Sequence, residues 1–256
     1  MKNLSTNLQR LIMALSLMVL VSCAEFEAVL QEMPTSTTNP LTTQEVSKGL
    51  KEALRVGVDT AVSRLAQDNG YYAHPDVRIL MPAEAQNMLN NIERIPGGKE
   101  LADKLIRNIN RSAEEAASEV VPLFVDAITQ MTIQDAWGIL KGNQTAATDY
   151  LHNKTYEKLF DLYKPKIAKA TNREWVASVS AQQAWDTLTK KWNTFAGSMV
   201  GQLAGYEPVN VELDAYLTHE ALKGLFLRIE EEESSIRSQA GARVTPLLER
   251  VFGRSS

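Results

Sequence analysis

This sequence has few of the features that hold other proteins together covalently or carry them across a membrane. Its 256 residues include a single cysteine, Cys23, so no disulfide can form within the chain. An apolar run near the start, Leu11–Val21, is interrupted only by Ser16. That run is too short to span a bilayer, because a membrane-crossing helix needs about 20 residues. The sequence therefore predicts neither an internal disulfide framework nor a permanent transmembrane helix.

The chain also has no excess of positive charge. It contains 27 Lys and Arg against 31 Asp and Glu, which gives a formal net charge of −4. Residues 1–22 hold Lys2 and Arg10 and no acid, so without them 25 bases face 31 acids and the net charge is −6. Nucleic-acid phosphates and anionic lipids both attract clustered Lys and Arg. The composition argues against nucleic-acid binding and against adhesion to anionic lipid through surface charge.

Familiar catalytic and metal-binding motifs are missing as well. His74, His152 and His219 lie far apart, without the spacing that a zinc site requires, so we predict no metal and no cofactor. Ser198 is not in a G-x-S-x-G elbow, because position 196 is Ala, and no phosphate-binding glycine motif occurs. We assign no catalytic residue from motifs.

The start of the chain resembles a bacterial lipoprotein signal. A polar segment with two positive charges precedes the apolar run, and Leu20-Val21-Ser22-Cys23 follows it. This pattern predicts that residues 1–22 are a signal peptide and that Cys23 carries the lipid. A buried free cysteine is the alternative. Ala24 stands where inner-membrane retention signals have Asp, which favours the outer membrane and a domain facing the periplasm.

Two further parts follow the signal. Residues 23–41 are predicted to be the lipidated cysteine and a flexible tether, because Met33–Pro40 is rich in Pro, Ser and Thr and has too little apolar surface to repay ordering. Residues 42–256 are predicted to form one all-α domain, beginning at a capping box of Thr42 and Glu45. Tyr71–Pro82 has no helical periodicity, and we predict extended coil there.

Helical periodicity and caps place the remaining elements. Thr132 and Asp135 are predicted to cap a short helix that Gly142 ends, and Pro122 either kinks a helix or opens a new one. The other predicted helices are 82–95, 99–118, 145–163, 165–195, the last main helix from Asp214, and 244–252. The tryptophans of the 165–195 helix favour core positions over a ligand pocket.

Four polar or glycine-rich stretches allow more than one interpretation. Gly197, Gly201 and Gly205 favour a flexible loop, with a close-packed or membrane-touching helix as the alternative. The acidic run Glu230–Glu233 is predicted to be a solvated helix face, and Glu114 and Glu115 are likewise predicted to face water. The turn between two capped helices is the candidate binding site, although its residues could serve only as caps. These residues are Thr132, Asp135, Lys141, Asn143, Thr145 and Thr148.

Four blocks of the sequence resemble the bacterial family named domain of unknown function 4197. They comprise residues 49–62, 77–82, 124–155 and 216–253, which together span nearly all of the chain after the tether. The resemblance implies an exported, all-helical protein, often a lipoprotein. It brings no catalytic residue to any position of this chain.

These observations lead to three functional hypotheses. The first is a membrane-anchored, non-enzymatic envelope lipoprotein that binds an amphipathic ligand or an envelope partner. The second is a hydrolase of envelope material that uses carboxylates such as Asp126 or Glu114, which requires paired acids in one cleft. The third is a helical spacer, which predicts no pocket larger than a water molecule.

Overall fold

A computed structural model describes residues 41–176 and 179–253, with all of their side chains except those of residues 175 and 176. Its α-helices are α1 (Thr43–Leu65), α2 (Gln86–Asn90), α3 (Gly98–Ala116), α4 (Val121–Gln130), α5 (Ile133–Lys141), α6 (Ala146–Thr171), α7 (Ala181–Ala196), α8 (Met199–Leu203), α9 (Leu213–Ser238) and α10 (Pro246–Phe252). Single 3₁₀ turns occupy Ala83–Ala85, Ile92–Arg94, Ala117–Val120 and Ala240–Ala242. Strands β1 (Glu174–Val176) and β2 (Val179–Ser180) pair antiparallel. The all-α prediction is confirmed.

Helix α9 lies at the centre of the domain. It packs against α6 on one side and α1 on another, while α3 packs against α7 and α6. These contacts bury one continuous core, to which α7 contributes Trp185 and Trp192. The core prediction is confirmed for these two tryptophans, and the Trp175 side chain lies outside the described residues.

Local capping signals correctly located two helix starts. Thr42 Oγ1 accepts a hydrogen bond from Glu45 N at 3.2 Å, and the Glu45 carboxylate accepts one from Thr42 N at 2.9 Å. Thr132 and Asp135 make the same reciprocal pair at the start of α5, and Gly142 caps its end. Pro122 lies in the first turn of α4, so it opens a new helix.

The non-helical segment after α1 is held by side chains of α3. Asn110 Oδ1 accepts from Ile79 N at 2.9 Å, and Asn110 Nδ2 donates to Ile79 O at 2.8 Å. Glu114 accepts hydrogen bonds from Tyr71 N and Tyr72 N. The prediction that this segment is non-helical is confirmed. Residues 71–73 and 75–77 form turns, and Arg78–Pro82 has no regular structure, with its backbone satisfied in part by the buried Asn110 amide.

The prediction that Glu114 faces water is wrong. Its side chain is 2% exposed and is also bonded to Arg111 at 3.3 Å. The position of Glu114 on a helix suggested exposure to solvent. The backbone amides that bond to its carboxylate belong to a loop 43 residues earlier in the chain, which local sequence does not reveal. Glu115 is exposed, as predicted.

The predicted helix boundaries around Pro165 are also wrong. Helix α6 continues through Pro165 to Thr171. Buried Tyr163 and Ile167 lie on either side of the proline, while Pro165 and Asp161 are exposed. The Asp161 carbonyl, which loses its amide partner, can therefore bond to water, and core packing outweighs the proline penalty.

The helix predicted over 165–195 is two helices separated by the β1–β2 hairpin. Helix α7 starts at a capping box of Ser180 and Gln183. The helix predicted over 82–95 is likewise broken into α2 and two 3₁₀ turns, and Asn91 Nδ2 donates to the Asn87 carbonyl between them. Asn side chains compete with helical backbone bonds in this way.

The predicted signal peptide, Cys23 and residues 24–40 of the tether lie outside the described residues. None of the helices in the described ranges combines the length and apolarity that crossing a bilayer requires.

Candidate functional site

The turn between α5 and α6 is fixed by a carboxylate from α9. Glu233 accepts hydrogen bonds from Ala147 N at 3.0 Å, Thr148 N at 2.8 Å and Thr148 Oγ1 at 2.8 Å. These amides belong to the first turn of α6, where backbone donors have no helical partner. Thr145, the residue at the helix N-cap, makes no side-chain cap bond. Glu233 therefore caps α6 from another helix.

Arg237 completes this junction. It pairs with Glu233 at 2.7 Å and donates from Nη2 to the Ile139 carbonyl at 3.0 Å, near the end of α5. The side chains of Glu233 and Arg237 are only 7% and 11% exposed. One ion pair on α9 thus satisfies the end of α5 and the beginning of α6.

The prediction of a solvated acidic face is therefore wrong for half of the run. Glu232 and Glu233 are buried, and Glu232 pairs with Arg64 of α1. Helix α9 is surrounded on more than one side by α1 and α6, so adjacent residues of the run face different neighbours. Glu230 remains exposed.

The structure separates the six candidate binding residues. Thr148 is buried against Glu233, and Lys141 and Asn143 are exposed, with Lys141 Nζ 5.2 Å from the Trp137 ring centroid. Thr145 donates to Asn143 and Asp149 within the turn. Two of the six, Thr132 and Asp135, line one concave surface.

That surface is a cleft between α4, α5 and α6, with a volume of about 250 Å³. We call it the α4–α6 cleft. Leu123 and Ala127 supply apolar surface, and acidic and basic side chains surround it. The polar lining consists of Asp126, Gln130, Thr132, Asp135, Tyr150, Lys154, Thr155 and Lys158. Thr132 and Asp135 were predicted as binding residues and Asp126 as a possible catalytic carboxylate. The other polar residues were missed, because separate helices contribute them.

Hydrogen bonding orients both carboxylates in the α4–α6 cleft. Asp126 Oδ2 accepts from Gln130 Nε2 at 2.8 Å, and Asp135 Oδ2 accepts from the Thr132 hydroxyl at 2.7 Å. The bonds from the Thr132 hydroxyl and amide lower the pKa of Asp135. Burial, with Asp135 nearby, raises the pKa of Tyr150. Near neutral pH the cleft therefore presents the Asp135 carboxylate beside the neutral Tyr150 phenol, with Lys154 and Lys158 in the same lining.

Other concave regions differ in size and chemistry. A void beside Glu233 and Arg237 measures about 20 Å³, enough for one water molecule. An open groove of about 710 Å³ between α7 and the loop before α3 is lined by Arg94, Lys190 and Lys191. Among the described residues, no group of three or more His, Cys, Asp or Glu lies together to hold a metal ion.

Comparisons with known proteins give one match. A family model described as "Protein of unknown function (DUF4197)" matches residues 40–253, which is almost the whole described domain. No curated protein and no solved structure matches the chain. The chain therefore belongs to the DUF4197 family.

Proposed function

We propose that this protein is an envelope lipoprotein, anchored through Cys23, whose helical domain binds a ligand or partner without catalysing a reaction. The anchor proposal rests on the apolar run followed by Leu20-Val21-Ser22-Cys23. Each buried methylene contributes about 0.8 kcal/mol, and one acyl chain alone holds only marginally, so stable anchoring requires more than one chain. Diacylglyceryl modification of Cys23 provides two. The domain then faces the periplasm, with the outer membrane favoured by Ala24.

The α4–α6 cleft is the observation that supports binding. It combines an apolar floor with two carboxylates and two lysines from three helices, and Glu233 and Arg237 tie the end of α5 to the beginning of α6. A rigid, mixed surface of this kind suits a ligand with a short apolar part and charges of both signs. Its volume of about 250 Å³ also exceeds the water-sized limit that the spacer hypothesis sets.

Native mass spectrometry of residues 24–256, purified gently from the host, tests this proposal. Residues 41 onward form a compact unit with its own core, so this chain retains the folded domain. We expect a reproducible bound amphipathic molecule that is reduced by Lys154→Glu in the α4–α6 cleft. Lys48→Glu, at a surface position on α1, is the control and should retain the molecule. An empty chain in every preparation would contradict a stable carrier role and leave a protein partner to be sought by crosslinking.

A second function is favoured by one feature of the same cleft. Asp126 and Asp135 both line it, and a carboxylate-dependent hydrolase requires two acids in one concave site. The lowered pKa of Asp135 suits a base or nucleophile and not the general acid. Glu114 is excluded from this role by its burial. Hydrolysis of envelope glycans or esters that is abolished by Asp135→Asn would establish an enzyme, and no turnover of such substrates would support the binding role.

A further inference from the structure

Helix α8 exposes an unusual cluster of large apolar side chains. Met199 is 80% exposed, Val200 63% and Leu203 84%. Leu203 is four residues from Met199 and three from Val200, the spacings at which helical side chains are neighbours, so these three form a single patch, which we call the α8 tip. The other large exposed apolar residues of the described chain are scattered singly, at positions 80, 133, 162 and 244. Single residues of that kind are normal, but a contiguous patch indicates a contact surface.

The α8 tip is an ordered projection. Ser198 Oγ accepts from Gly201 N at 3.1 Å, and Tyr206 N donates to Gly201 O at 3.0 Å. A Cβ atom at Gly201 would lie 2.3 Å from the Phe195 carbonyl oxygen, so only glycine allows α8 to pack this closely on α7. The apolar side chains are therefore held outward by a fixed backbone.

Aromatic rings form the base of the α8 tip. Phe195 and Tyr206 are half-buried, their ring centroids lie 5.7 Å apart, and both pack on buried Trp192. Tyr206 also donates its hydroxyl to Asn91 Oδ1 at 2.9 Å. Aromatic side chains with an apolar body and a polar end are typical of the membrane–water interface.

Positive charge lies next to these rings. Phe195 belongs to the open groove whose lining includes Arg94, Lys190 and Lys191, and no acid is among its described lining residues. Lys191 Nζ donates to the Pro96 carbonyl at 3.1 Å, which joins the two segments that supply the cations. We call these three residues the cationic collar. The sequence shows no basic tract, because Arg94 is nearly one hundred residues from the two lysines, and only folding brings them together.

We propose that the α8 tip and the cationic collar form a docking surface for an anionic phospholipid membrane. The apolar side chains enter the interface, the aromatic rings lie at headgroup level, and the collar binds lipid phosphates. The domain is otherwise net acidic, so this surface orients it toward the lipid. The inference adds a second membrane contact to the proposed lipid anchor, and it needs no acyl group.

The test uses residues 24–256, which lack the lipidated cysteine and contain no other. Vesicles of phosphatidylcholine alone are compared with vesicles containing about a quarter phosphatidylglycerol in flotation assays at about 0.1 M salt. We expect binding to the anionic vesicles only. Met199→Ser combined with Leu203→Ser should weaken it roughly tenfold, and Lys190→Glu combined with Lys191→Glu should do the same.

A matched control is available on α6. Leu162 is 53% exposed and isolated, so Leu162→Ser should bind vesicles as the unchanged chain does. Insertion is measured directly with an environment-sensitive fluorophore on Leu203→Cys, with Leu162→Cys as its counterpart. The fluorophore at position 203 should shift its emission to the blue on anionic vesicles, and the fluorophore at position 162 should not.

Equal binding to neutral and anionic vesicles, or no loss in the Met199→Ser and Leu203→Ser chain, would overturn the proposal. A complete absence of vesicle binding would also overturn it and leave the α8 tip to a protein partner. Lipidation of Cys23 is measured separately, in the full chain. If residues 24–256 do not bind vesicles but Cys23 of the full chain is acylated, the docking surface is ruled out and the proposed lipid anchor still stands.

Discussion

Buried glutamates provide the most consequential single-residue contacts in this domain. Glu233 satisfies three donors at the start of α6 and pairs with Arg237, and Glu114 satisfies the backbone of Tyr71 and Tyr72. Buried charges are tolerated only when they are paired and hydrogen-bonded. Both residues pair with an arginine on their own helix and accept hydrogen bonds from backbone amides distant in sequence.

Replacing Glu233 should therefore lower the free energy of unfolding much more than replacing exposed Glu230. Glu233→Gln removes the charge that pairs with nearly buried Arg237, and we expect a loss of about 3 kcal/mol in the free energy of unfolding. Glu230→Gln, on the exposed side of the same run, should change it by less than about 0.5 kcal/mol. Urea denaturation of both variants gives the comparison, and equal stabilities would contradict the structural role of Glu233.

These roles could not be predicted from the residues themselves. The acidic run looks uniform in sequence, yet Glu230 is exposed and Glu233 is buried, because only the packing of α9 against α6 distinguishes them. The α4–α6 cleft poses the same problem, since its lysines and Asp126 come from helices that the sequence does not place side by side. Of the candidate site, only Thr132 and Asp135 carried a local signal.

At the scale of elements, helix boundaries follow local chemistry wherever caps are present. The starts at Thr42 and Thr132 and the stop at Gly142 were predicted because a cap involves residues within one turn. The continuation of α6 through Pro165 was not predicted, because it depends on the burial of Tyr163 and Ile167 in the core. The capping box of Ser180 and Gln183 was a visible signal that would have divided the predicted long helix.

Acid should weaken α5 through its capping box. The hydrogen bonds from Thr132 lower the pKa of Asp135 in the folded state. A lowered pKa means that the stabilisation is present above the unfolded value of about 3.9 and is lost as pH falls through the folded value. The protection factor of the Thr132 amide, which corrects for the intrinsic pH dependence of exchange, should therefore fall at low pH. Asp135→Asn should remove that acid-dependent step, and an unchanged step would contradict the assignment.

At the scale of the whole molecule, α9 joins the parts of the core. Tyr71, from the non-helical segment, donates its hydroxyl to the Ala221 carbonyl of α9 at 2.9 Å, while Tyr163 of α6 is buried beside α3. Burial raises the pKa of both phenols. The protonated form is therefore part of the folded structure.

Alkali should consequently unfold the domain as a unit. For a raised pKa, the stabilisation is complete below the unfolded value of about 10 and is lost as pH rises above it. We expect the free energy of unfolding to fall at alkaline pH, with phenolate absorbance appearing together with the loss of helical circular dichroism. Phenolate formation by Tyr71 and Tyr163 in a fully helical protein would contradict this coupling. Tyr71→Phe combined with Tyr163→Phe should reduce the dependence on pH.

The central claim is that lipid at Cys23 holds this domain to a membrane, and intact mass spectrometry of the full chain tests it most directly. The protein is expressed in its host and extracted from the membrane fraction with detergent. We expect a chain that begins at Cys23 and carries covalently bound diacylglycerol, and we expect the Cys23→Ser variant to carry none. A protein that retains residues 1–22, or one with an unmodified Cys23, would contradict the account.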